Sequence, residues 1–129
     1  MNLPLHPMLV HYPIACYLLE LLLLLFWWFK RDEQYVRFSR FVFYTGYCLM
    51  IPTVAAGWMD AGGLNPTVRD HFTLAASLFI FSSVRALLNR PGKMDLERSA
   101  NLQLAGAIVG NVLVLATAYF GGKLVYHSA

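Results

Sequence analysis

Four histidines, His6, His11, His71 and His127, are the residues of this chain best suited to chemistry. Imidazole ligates haem iron and several transition metals. His6 and His11 open the first of four apolar segments, His71 opens the third and His127 closes the fourth. If successive segments cross a membrane in alternating directions, all four rings reach the same face at one depth. Imidazoles from three separate spans, gathered at one level, predict a cofactor site holding haem iron or a non-haem Zn, Fe or Cu ion.

The elements that must position them are membrane helices. The sequence is 58% hydrophobic and 13% charged, with a mean hydropathy of +0.53. Its apolar residues come in long runs rather than amphipathic stripes. Phe41 to Met59 and Ala100 to Gly122 are uncharged, and Leu3 to Leu19 carries no Asp, Glu, Lys or Arg. Each run approaches the roughly 20 residues that a helix needs to cross the hydrocarbon core. Spans are expected at about 9–29, 40–59, 71–88 and 101–122, joined by short connections. The fold class is all-α, an integral membrane four-helix bundle forming a single domain over residues 1–129. The first span is read as a retained helix, since Phe26-Trp27-Trp28-Phe29-Lys30 does not resemble a small-residue cleavage site.

Charge sets the orientation. Lys30, Arg31, Arg37 and Arg40 flank the first connection, and Arg85, Arg90, Lys93 and Arg98 flank the third; the other side has only Arg69 and Lys123. The positive-inside rule then puts these two connections in the cytoplasm and both termini outside. The basic balance reports topology and lipid headgroups, and gives no reason to invoke nucleic acid.

Local signals refine the reading. Pro7 and Pro13 bracket the start of the first helix, leaving His11 in its opening turn. Pro52 predicts a kink near the outer end of the second span. Residues 60–66 form a turn-rich loop, and Gly121-Gly122 marks a late break or a place for close approach. Gly106 and Gly110 form a GxxxG spacing, which serves routine packing or a homodimer. Trp27, Trp28 and Tyr35 at one boundary, and Tyr12, Trp58 and Tyr126 at the other, match aromatic anchoring. Cys16 and Cys48 lie inside spans and read as small buried hydrophobes, with no disulfide.

Glu20 is the anomaly, because intramembrane carboxylates are expensive. It lies about 13 Å deeper than His11 and nearly opposite it on the helix. It is expected to pair with Asn111 or a tyrosine, to sit protonated, or to mark a protomer interface; a proton relay is a further role. Apart from Glu20 and Asn111 the deep bundle offers no polar path, which disfavours transport.

The opening His6-Pro7-Met8-Leu9-Val10-His11-Tyr12-Pro13, the Gly57-Trp58-Met59-Asp60 turn and the ending Gly121-Gly122-Lys123-Leu124-Val125-Tyr126-His127 together resemble a prokaryotic family of small four-helix membrane proteins, long known only as a domain of unknown function. Some members are fused to Rieske-type iron–sulfur domains. The resemblance implies b-type haem, one or two, with bis-histidine ligands drawn from His6, His11, His71 and His127 and with Asp60 lining the site. Arg69 and Lys123 would meet the propionates, and Gly121 and Gly122 would let the macrocycle approach.

The function expected is therefore a membrane b-type cytochrome, exchanging electrons at the outer face with a quinol or a periplasmic redox partner. An electron-transfer role fits better than an enzyme, though an oxidoreductase stays open. A non-haem metal protein using the histidines and Asp60 is the alternative, and a structural or assembly subunit a further one. No hydrolase or phosphate-loop signature is present.

Overall fold

The computed structural model describes residues 9–61, 69–88 and 95–127, with side chains described for 9–59, 69, 71–88 and 95–119. The described residues form four helices and no strands: α1 (His11–Lys30), α2 (Glu33–Ala61), α3 (Arg69–Leu88) and α4 (Leu96–His127). Each is long and apolar enough to cross a membrane.

Short polar caps set the helix boundaries. α1 ends where Arg31 adopts a left-handed conformation (φ 56°) and its N–H returns to the Trp27 carbonyl. That conformation is uncommon for a residue with a Cβ. Stacking of the Arg31 guanidinium over Trp27 and Trp28, at 4.7 and 4.9 Å, holds it there. Asp32 then caps α2 by accepting from the Gln34 N–H (3.0 Å), so two residues turn the chain. Asp95 caps α4 in the same way, accepting from the Arg98 N–H at 2.7 Å. These caps let α2 and α4 begin earlier than the apolar runs do. α2 also continues through Pro52 to Ala61, and α4 through Gly121 and Gly122 to His127, so the late break expected there does not occur.

Side-chain pairs fix the up-down-up-down arrangement. α1 and α2 pack most extensively, and α2 and α3 least among the neighbouring pairs. The outer surface is apolar, as lipid requires: Leu18, Leu22, Phe41, Ile80, Val112 and Leu115 all point outward. The interior is mixed. Tyr17, Phe43, Met50, Leu78 and Val114 form its apolar centre, while Glu20, Ser39, Ser82, Arg85, Ser99 and Gln103 are also buried. The polar poverty expected of the deep bundle is thus corrected. Trp27 is buried against Val36 and Ala100 instead of anchoring at the interface. Cys48 faces outward, and Cys16 sits against Gly46.

Candidate functional site

Two polar regions can be built from the residues upward: a column in mid-bundle and the end that carries the histidines.

The column centres on Glu20 of α1 and Arg85 of α3. Arg85 Nη1 and Nη2 donate to Glu20 Oε1 and Oε2 at 3.0 and 2.7 Å, a bidentate pair with the Arg85 side chain 5% and the Glu20 side chain 0% exposed. Arg85 Nη2 also donates to the Gln103 carbonyl of α4 (3.2 Å), and its guanidinium lies 4.2 Å from the Phe43 ring of α2. Gln103 Nε2 and Arg40 Nη2 both donate to Ser99 Oγ, at 3.0 and 3.1 Å, which extends the column to the α1–α2 turn end. On the other side Tyr17 OH bonds Ser82 Oγ, and Asn111 Nδ2 donates to the Tyr17 carbonyl (3.1 Å). Burying ions in this way is tolerable only with good geometry and further contacts. The Gln103 carbonyl of α4 adds a hydrogen bond and the Phe43 ring of α2 a cation–π contact, while Arg85 Nε is buried with no hydrogen-bond partner.

Glycines make the room. A Cβ on Gly106 would overlap Arg85 Nε, and one on Gly110 would overlap the Tyr17 ring. The GxxxG pair therefore receives two side chains of the same chain, so it does not supply a dimer face. Glu20 pairs with Arg85, where the sequence pointed to Asn111 or a tyrosine, and Asn111 holds the Tyr17 backbone instead. Arg85, counted in sequence among the cations flanking the third connection, is an interior residue. A proton relay from Glu20 along this column would have to pass a guanidinium, which does not give up its proton.

At the other end, His71 in the first turn of α3 is part-buried, with Nδ1 3.0 Å from the Thr117 carbonyl of α4. A carbonyl only accepts, so Nδ1 carries a proton in this contact. Metal-ligating histidines have this arrangement, in which the second ring nitrogen donates to a carbonyl or carboxylate. His11 opens α1 with its side chain exposed. His127 is the last residue of α4, its side chain outside the described set, and His6 lies outside the described residues altogether. Arg69 opens α3 and is exposed. Asp60, Gly121, Gly122 and Lys123 are at helical positions whose side chains are not described.

Helix registers measure how these positions align. Glu20–Arg85 and Tyr17–Ser82 are both offset by 65 residues. The residue level with His71 along α1 would therefore precede His11 by about five, or roughly 7 Å at 1.5 Å per residue. On α4 the level is Thr117, and His127 lies ten residues farther out, about 15 Å. The backbone positions of His11 and His127 are thus not level with that of His71, because α4 continues straight past Thr117 and α1 begins deeper than α3; His6 lies outside the described residues. Asp60 does align. The pairs Tyr44–Ala86, Tyr47–Ser83 and Trp58–Phe72 advance in step along α2 and α3, which puts position 60 level with Asp70 and next to the level of His71. Among the described residues no group of three or more His, Cys, Asp or Glu could hold a metal ion.

For haem, His71 fits as a ligand by tautomer and position.

A family described as predicted membrane protein (DUF2231) matches residues 2–129, and the chain belongs to it. No curated protein and no solved structure matches.

Proposed function

We propose that this member of the DUF2231 family is a membrane redox protein that holds a single haem or transition-metal ion on His71, at the bundle end where α1 and α3 begin. The observation that carries the reading is the place of His71, part-buried in the first turn of α3 with Nδ1 held 3.0 Å from the Thr117 carbonyl, an arrangement that metal-ligating histidines share. His6, His11 and His127 remain candidates for the second ligand, and Arg69 and Lys123 for the propionates. A bound haem would supply one-electron chemistry at that face. The chain's own contribution is to fix the tautomer, hold the ring against α4 and present the site to a quinol or a soluble redox partner.

The orientation proposed is inner membrane with both termini periplasmic. Without Arg85, seven cations flank the first and third connections against two on the other side, so the asymmetry survives.

The level of Asp60 favours a second reading, a non-haem Zn, Fe or Cu site of imidazole and carboxylate. Absorption spectra of oxidised and dithionite-reduced protein, with elemental analysis, separate the two. Soret and α bands that shift on reduction and disappear in His71→Ala support haem. A stoichiometric metal in colourless protein supports the second reading. Protein from haem- and metal-replete cells that carries neither, and takes up neither when added, refutes both and leaves a structural subunit.

A further inference from the structure

The polar column has a regularity that burial alone does not require. Arg85 and His71 are fourteen residues apart on α3, and the α4 carbonyls they meet, Gln103 and Thr117, are also fourteen apart. Both contacts run from an α3 side chain to an α4 backbone oxygen, four turns from each other. On α1 the partners Glu20 and Tyr17 meet Arg85 and Ser82 at one shared offset of 65. His71, Leu78, Ser82 and Arg85 recur at steps of seven, four and three, the spacing of one helix face. α3 therefore contacts α1 and α4 along a single stripe with ionic contacts at one end and the imidazole at the other.

We propose that the Glu20–Arg85 pair is the register lock of the bundle, fixing the axial position of α3 and, through it, the seating of His71 against Thr117. α1 and α3 are not among the extensively packed helix pairs, and α3 has the smallest buried share of the four spans. Its outward face is apolar and meets lipid equally well at any height, so its register must come from its inward contacts. The ion pair specifies it strongly. A shift of one turn moves the guanidinium about 5 Å from the carboxylate and away from the space that Gly106 leaves open. Buried polar groups are known to fix register where apolar contacts leave it open. The rigid helix carries that constraint about 21 Å to His71. The proposal stands whether or not His71 binds a metal.

The test is thiol cross-linking in native membranes, in a background with Cys16→Ala and Cys48→Ala. His71→Cys is paired in turn with Thr117→Cys and with Leu113→Cys, one turn away on α4. The intact pair should favour the 71/117 cross-link at least tenfold over 71/113. Glu20→Gln should reduce that preference to twofold or less. Arg85→Lys keeps a buried cation but loses the bidentate geometry, and should give an intermediate ratio in protein that still folds. Tyr44→Phe, which removes a hydrogen bond between α2 and α3 only, should leave the ratio unchanged. An unchanged ratio in membrane-inserted Glu20→Gln and Arg85→Lys would overturn the proposal. So would an equal loss in Tyr44→Phe.

Discussion

The middle of the bundle and its histidine-bearing end use similar residue types under opposite constraints. In the middle, Glu20 and Arg85 are sealed from solvent and lipid, four helices contribute contacts, and two glycines leave the space that the side chains fill. At the end, His11 is exposed and His71 is part-buried, with Nδ1 against a backbone carbonyl of a neighbouring helix. The middle is enclosed by the bundle's own side chains, and the described residues of the end are more open. A titratable side chain inside a membrane is thus not by itself a reactive site. What separates the two regions is enclosure: Glu20 and Arg85 are buried, whereas His71 is part-buried and His11 exposed.

Substitutions can break that contrast or sharpen it. The largest effect is expected from Arg85→Leu, which strands a buried carboxylate and should cost about 3–5 kcal/mol of stability. Thermal or detergent-induced unfolding of purified protein measures it. Replacing both partners, Glu20→Leu with Arg85→Met, should recover most of that loss, because apolar groups of similar volume need no compensation. If the double variant is as unstable as the single, the pair is stabilising in its own right and the contrast weakens. Gly110→Ala comes next, at about 1–3 kcal/mol, since the added methyl must displace the Tyr17 ring. An effect confined to oligomeric state would instead restore the dimer reading of the GxxxG spacing. Smallest is His11→Ala, expected within about 0.5 kcal/mol because the ring is exposed. A large loss there would mean that this end is built as tightly as the middle.

Much of the fold was legible in sequence, and less of the site. Long uncharged runs announced four helices, and Glu20 stood out as an intramembrane acid. Its partner did not, because Arg85 lies only a few residues from the end of its span and reads as an interfacial cation. The usable signal was that a buried acid in one apolar run calls for a base in another, and Arg85 is the cation inside an apolar run. Ser82, Ser99 and Gln103 escaped notice because small or amide side chains interrupt an apolar run only weakly. The helices are apolar nearly all round, so the pattern assigns no inward face and sets no register between helices. That is why the histidines could be assigned to one end but not to their separate levels. His71 was found by its position, whereas its carbonyl partner on α4 is a tertiary contact with no sequence signature.

The central claim is that His71 is the ligand of a metal or haem at this end of the bundle. Haem and metal content per chain, measured on protein purified from replete membranes alongside His71→Ala, tests it most directly. About one haem or one metal ion per chain is expected, lost in the variant while the helices and the Glu20–Arg85 pair remain intact. Content that is unchanged in His71→Ala, or absent from the parent protein, would contradict it.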